Sequence, residues 1–301
     1  MFSDIVVPLG SPVSLPLLRS RPPLTDSTPP AAGPDRRPQT SPRSTALAGL
    51  TVLVTGGSSG IGRAIAIASA HAGADVALTY AHHEAGARET ARLIAAVGRR
   101  AAVFHLDLAD HQRLDQALDA VTRGARTTFG RIDAWINNAG ADILTGDDAH
   151  LSLADKLDRL LAVDLRGTII ASWAAAELMA AQEDRGGVII NVSWDHVLTG
   201  MAGRNPQMFA AVKGGVLAFS KSLARSVAPR VRVNILAPGW IETAFSAGLD
   251  PERRRAVAES APLQRWGTPE DVAAAAVYLA SPAAAFLTGQ TIFVNGGVVM
   301  G

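Results

Sequence analysis

The chain has 301 residues, 48% hydrophobic and 18% charged, and carries a formal net charge of +1. That length suits one large α/β domain with a sizeable core, and the near-zero charge gives no electrostatic case for nucleic acid or an anionic membrane. The lack of cysteine excludes disulfides and thiolate metal sites, and no apolar run approaches the ~20 residues of a membrane-spanning helix.

Residues 1–46 hold ten of the 17 prolines. Proline at that density breaks helices and denies sheets their donors, so the segment is expected to be extended or disordered. Pro8, Pro12 and Pro16 interrupt what would be the apolar core of a signal peptide. The expected organisation is a dispensable extension over 1–46 and a single domain over 47–301.

From Leu50 onward strand patterns alternate with helical ones. Strands are expected at 51–55, 75–80, 101–106, 132–136, 188–193, 231–236 and 291–294, with helices near 61–72, 84–97, 110–129, 153–182, 207–227 and 269–280. Such alternation argues for a doubly wound parallel sheet with helices on both faces. Right-handed crossovers then bring the strand carboxyl ends, where ligands bind, to one edge.

The first strand runs into Thr55-Gly56-Gly57-Ser58-Ser59-Gly60-Ile61-Gly62. A strand, a glycine-rich turn and a helix start are the context a dinucleotide site demands. Backbone N–H groups and the positive end of the helix dipole there face a phosphate. The second strand ends in Thr79-Tyr80-Ala81-His82-His83. An acid at this point would hold the adenosine ribose hydroxyls and favour NAD. None occurs before Glu84, and His82 and His83 can donate to a 2′-phosphate, so NADP(H) is favoured over NAD(H). The two histidines are a poor metal pair, because neighbours in an extended chain point opposite ways, and no metal is expected. After the third strand, Asp107 is assigned to the adenine amino group and Asp110 to capping a helix that begins at His111. After the fourth, Asn137-Asn138-Ala139-Gly140 offers small residues that let the backbone lie close to a ribose.

These stretches, with the Asn191-Val192-Ser193 strand, Lys213 and Pro238-Gly239-Trp240-Ile241-Glu242-Thr243, resemble the short-chain dehydrogenase/reductase family in its classical single-domain form, over about residues 48–299. The resemblance implies a single Rossmann-type seven-stranded sheet ordered 3-2-1-4-5-6-7. It also implies a cytoplasmic homodimer or homotetramer, here associating through the helices near 153–182 and 207–227. A nicotinamide dinucleotide would have its phosphates at Gly56, Ser58, Ser59, Gly60 and Ile61, and its adenosine end at Tyr80, His82, Asp107 and Leu108. Its riboses would lie at Asn138, Ala139, Gly140 and Lys213, and its carboxamide at Pro238, Gly239, Ile241 and Thr243. Near the end of the chain, Asn295 stands where the family commonly has Asp.

The catalytic positions depart from the family's Asn, Ser, Tyr and Lys. The Tyr-x-x-x-Lys signature reads Phe209-Ala210-Ala211-Val212-Lys213, and the asparagine falls on Asp164. Counting forward along the strand, the serine falls on Trp194, just after Ser193; counting back from Phe209, it falls on His196. The disagreement implies a small insertion within 195–205. Phenylalanine can neither donate nor accept a proton. His196 titrates near neutral pH when unperturbed, and Asp195 can orient it or act itself, although both could instead bond loop backbone. Asp164 is expected to pair with Lys213. The substrate, a small apolar or aromatic molecule, would meet Trp194, Met208, Phe209 and Trp240. Three readings follow: an oxidoreductase with a rearranged proton donor, an enzyme for tyrosine-independent chemistry such as imine reduction or a non-redox elimination, and a silent nucleotide-binding subunit.

Overall fold

The structure is a computed structural model that describes residues 45–183 and 186–300. Apart from Thr45 and Ala46, the extension expected over 1–46 lies outside the described residues.

In chain order the elements are β1 (Thr51–Val54), α1 (Gly60–His71), β2 (Asp75–Tyr80), α2 (Glu84–Ala96), β3 (Ala101–His105), α3 (Leu114–Phe129), β4 (Ala134–Asn137), α4 (Leu153–Leu160), α5 (Thr168–Ala180), β5 (Gly187–Val192), α6 (Arg204–Val227), β6 (Val231–Pro238), α7 (Ala244–Ala247), α8 (Pro251–Ser260), α9 (Pro269–Ala280) and β7 (Thr291–Val294). The seven strands form one parallel sheet in the order β3-β2-β1-β4-β5-β6-β7. This is the expected doubly wound Rossmann-type sheet with helices on both faces.

The central strands are mostly apolar because both faces are covered. On one face Val52, Val54, Ile136 and Ile190 pack against α1, α2 and α9 through Ile65, Ile94 and Val272. On the other, Leu53, Trp135 and Ile189 meet α3, α5 and α6 through Leu118, Ala175 and Leu223. Helix α9 is held at its start by a reciprocal cap, in which Thr268 and Asp271 each satisfy the other's backbone N–H.

The boundaries differ from expectation in three informative places. The helix expected from 110 begins at Leu114, and Asp110 instead accepts from the Arg113 N–H (3.3 Å) in a preceding turn. The helix expected over 153–182 is α4 and α5 joined by a π-helical segment, Leu161–Gly167, which carries Asp164. Such segments are rare and concentrate at functional sites. The stretch between β6 and α9, where no element was expected, forms α7 and α8. Among the described residues, no helix is long and apolar enough to cross a membrane.

Candidate active site

The first crossover is built by close backbone approach. Gly56 adopts φ +68°, and a Cβ there would lie 2.9 Å from Ala139 Cα, so only glycine lets the turn sit against the end of β4. A Cβ on Gly62 would collide with the Gly56 carbonyl. Gly60, at φ +51°, has nothing within 4 Å of its Cβ direction, so the mouth of the turn is open on that side. Ser59 precedes α1 in extended conformation and makes no side-chain cap. The first N–H groups of α1 therefore lack a capping side chain at an exposed helix start, the donor arrangement that suits an anion.

Thr55 staples the crossover to β4: its hydroxyl accepts from the Asn138 and Ala139 N–H groups, both at 3.0 Å. Asn138 Nδ2 donates back to the Thr55 carbonyl at 3.1 Å. Arg63, which the sequence reading passed over, ties the turn to α2. Its Nη2 donates to the Ser58 carbonyl (2.6 Å) and the Gly86 carbonyl (3.2 Å), and its Nε to Thr90 Oγ1 (3.1 Å). Only its place one residue after the glycine motif could have signalled this.

At the adenosine end, His82 and His83 are exposed and the ring of Tyr80 stands edge-on to His105. Glu84 is held by Arg88 in an exposed ion pair. Asp107 Oδ1 accepts from the Ala109 N–H at 2.9 Å, and Leu108 is buried against Gly167.

The catalytic candidates converge at the carboxyl ends of β4, β5 and β6. Asp164 is 1% exposed. Its Oδ1 lies 2.8 Å from Lys213 Nζ, its Oδ2 accepts from the Ala141 N–H at 2.8 Å, and a Cβ on Gly140 would come within 2.9 Å of it. Lys213 Nζ also donates to the Val192 carbonyl at 3.3 Å. Ser193 extends the β5 ladder, its N–H donating to the Leu236 carbonyl. Its hydroxyl donates to the Lys213 carbonyl at 2.8 Å. Ser193, a catalytic candidate by its place beside the family's serine position, thus has the Lys213 carbonyl as its hydroxyl's partner.

Trp194 leaves β5 in extended conformation (φ −144°, ψ 145°), directly at the strand end, and Asp195–Val197 then form a 3-10 turn. Asp195 is fully buried. Its Oδ1 lies 2.6 Å from His196 Nδ1, and its Oδ2 accepts from Asn295 Nδ2 at 3.2 Å. His196 stacks on Trp194, with ring centroids 5.0 Å apart and planes 25° apart. Trp194 lies 6.3 Å from Phe209, His196 lies 6.4 Å from Trp240, and Trp240 lies 5.6 Å from Trp266. Five aromatic rings thus run from the position lacking a hydroxyl to the loop after β6. Met208 and Phe209 also join a small apolar cluster with Ile143, Leu160 and Val212.

In the loop after β6, the Gly239 N–H donates to the Val294 carbonyl at 3.1 Å, and a Cβ on Gly239 would meet Asp195 Oδ2 at 2.8 Å. Pro238 closes β6, Ile241 bridges to Gly267, and the Thr243 N–H donates to Ser246 Oγ at 3.1 Å. Beneath the site lies a buried polar network that the sequence reading missed. Asn137 Nδ2 donates to Asn191 Oδ1 (2.8 Å), Asn191 Nδ2 to Ser220 Oγ (2.9 Å), and Trp135 Nε1 to Asn137 Oδ1 (2.8 Å). Polar residues inside strands β4 and β5 were the available signal. Among the described residues, no group of three or more His, Cys, Asp or Glu could hold a metal ion.

A parallel seven-stranded sheet with an open glycine turn at its first crossover and a buried lysine at its carboxyl edge defines a dinucleotide-binding enzyme of the Rossmann type. A family model described as "Enoyl-(Acyl carrier protein) reductase" matches residues 56–299. The chain is 37% identical over 264 residues to 3beta-hydroxysteroid dehydrogenase 1 of Eggerthella lenta, covering 84% of this chain and 95% of that protein. It is 37% identical over 256 residues to the 3-oxoacyl-[acyl-carrier-protein] reductase FabG of Vibrio harveyi, covering 84% and 99%. Among solved structures, a short chain dehydrogenase from Burkholderia cenocepacia J2315 in complex with NADP aligns at TM-score 0.72 and 33% identity, over 84% of this chain and 99% of that one. The chain belongs to the short-chain dehydrogenase/reductase family and is an oxidoreductase of that type.

Proposed function

We propose that this chain is an NADP(H)-dependent oxidoreductase in which His196, oriented by Asp195, replaces the tyrosine hydroxyl as the group that exchanges a proton with the substrate oxygen. The observation that carries the reading is the 2.6 Å contact between His196 Nδ1 and a fully buried Asp195 carboxylate. A carboxylate can only accept, so it fixes Nδ1 as the protonated nitrogen and leaves Nε2 for the substrate. The His196 side chain keeps 12% exposure, enough for contact with a ligand.

A bound nicotinamide would supply the hydride in reduction and accept it in oxidation. In the reducing direction His196, as imidazolium, would give its Nε2 proton to the substrate oxygen, and the neutral ring would be reprotonated from solvent. Lys213 directs one of its three donors to Asp164 and another to Val192, and the third suits a ribose hydroxyl. The absence of an acid before Glu84, and the engagement of Glu84 by Arg88, support NADP(H) over NAD(H). The rings of Trp194, Phe209 and Trp240 support a flat apolar or aromatic substrate. We further propose association of copies through the α4–α5 stretch and α6, where Leu161, in the π-helical segment, and Trp173, in α5, expose 39% and 53% of their surface.

The test is His196→Phe, which keeps a ring against Trp194. It is expected to lower kcat/KM for NADPH-dependent reduction of aromatic ketones by ~10²–10⁴-fold, the worth of a positioned acid, with NADPH affinity unchanged. Full activity in the variant would remove His196 from the chemistry. NADPH binding without turnover on any ketone, imine or alcohol would leave a nucleotide-binding subunit.

A further inference from the structure

The Asp195–His196 pair has a third member, contributed from the far end of the chain. Asn295, one residue past β7, places its side-chain amide 3.2 Å from Asp195 Oδ2, on the side of the carboxylate away from His196. The direction of that amide is fixed by its other partners. Asn295 Oδ1 accepts from the Gly297 N–H at 3.0 Å, and Nδ2 donates to the Val299 carbonyl at 2.9 Å. A flipped amide would set oxygen against both the Val299 carbonyl and Asp195, and its nitrogen against an N–H. The Asn295 nitrogen therefore has to face the carboxylate.

We propose that Asn295 is a positioning residue whose amide, and not a carboxylate, is required to hold Asp195 as an acceptor for His196 Nδ1. This rests on the proposed role of His196. The physics is local. Asp195 is fully buried, and a buried carboxylate stays ionised only when its oxygens receive hydrogen bonds. His196 serves Oδ1 and Asn295 serves Oδ2, while Gly239 leaves room for Oδ2 by having no Cβ. Charged groups on the surrounding elements are already paired: Lys213 with Asp164 at 2.8 Å, Arg265 with Asp271 at 2.6 Å, and Glu242 with Arg254 at 3.1 Å. Asn295 is thus the donor that the fold supplies to the second oxygen.

Two variants separate this role from a merely structural one. Asn295→Leu removes the donor at every pH. Asn295→Asp sets two carboxylates side by side, and their repulsion raises the pH at which one of them takes up a proton. When protonated, the new carboxyl can donate to Asp195 as the amide does. Asn295→Leu is therefore expected to lose at least tenfold in kcat/KM across the pH range. Asn295→Asp is expected to lose as much above neutrality and to recover as pH falls. The first readout is free of catalysis: imidazole ¹⁵N correlation spectra of the protein without substrate, with His196 assigned through His196→Gln. The wild-type chain should show His196 protonated at Nδ1, and Asn295→Leu should displace or broaden that signal. An unchanged His196 signal in Asn295→Leu, or identical pH profiles for the two variants, overturns the role of Asn295. If the spectra change as expected while His196→Phe stays active, the positioning stands and the assignment of His196 as proton donor falls.

Discussion

Replacing Asp164 by asparagine tests the ion pair at the centre of the site. The substitution keeps the shape but removes the charge opposite Lys213. The ammonium, in a residue 8% exposed, would lose its charged partner and keep its contact with the Val192 carbonyl at 3.3 Å. The amide would also present either its oxygen or its nitrogen to the Ala141 N–H, which Asp164 Oδ2 now receives at 2.8 Å. Removing one member of a buried pair typically costs about 3–5 kcal/mol, because the other charge is left uncompensated. For a domain of this size each kcal/mol lowers Tm by roughly 2–4 °C, so Asp164→Asn should melt on the order of 6–20 °C lower. Differential scanning calorimetry of the apo protein measures this. The double variant Asp164→Leu/Lys213→Met removes both charges and should recover most of the loss, since apolar replacement of a buried pair is often neutral. A single-variant loss below about 1 kcal/mol, or a double variant no better than the single, would refute the claim that the pair is buried and mutually dependent.

Other perturbations follow from the same geometry. Phe209→Tyr should change ketone-reduction kcat/KM by less than about tenfold, because Lys213 is committed to Asp164; a gain of ~10²-fold or more would show that the rest of the site is laid out for a proton donor at 209. Gly60→Val should weaken NADPH binding at least tenfold by calorimetry, since its Cβ direction is open to ligand and not to protein, and the strain of a β-branched residue at φ +51° should also lower Tm. Gly56→Ala should lower Tm through contact as well as strain, because its Cβ would press on Ala139 at 2.9 Å. Asp271 should contribute to acid stability. Burial acts to raise its pKa, but the Arg265 guanidinium and the Thr268 N–H outweigh this and hold it below the ordinary carboxylate value. A depressed folded-state pKa gives stability that is present above the unfolded value near 4 and lost as pH falls through the folded one. Asp271→Asn should therefore flatten the dependence of unfolding free energy on pH in that acid range, measured by urea titration.

Much of the architecture was readable because the strands bury both faces and so appear as short apolar runs between helical patterns. The glycine turn was equally plain, since Gly56 and Gly62 answer to contacts within the crossover itself. The helix start at Leu114 was misplaced by four residues because Asp110 is a good cap, and it caps a turn instead. The π-helical segment at Leu161–Gly167 has no signal in helical periodicity, yet it carries Asp164 into the site. The identity of the Lys213 partner was legible, because few carboxylates could reach a buried lysine on that edge. The Asn295–Asp195 contact was not: it joins residues 100 positions apart, and neither side chain announces the other. Residues 195–203 contain the turn and glycines that separate the forward and backward counts, with Gly200 and Gly203 both at positive φ. Spacing alone could not decide which residue stands at the strand end.

The central claim is that a pyridine dinucleotide lies across the carboxyl edge of the sheet, its phosphates on the main-chain amides of the first crossover. Isothermal titration of the purified chain with NADPH and with NADH is the most direct measurement. Saturable binding of one NADPH per chain, tighter than NADH and weakened by Gly60→Val, is the predicted result. No heat of binding with either nucleotide would contradict the account.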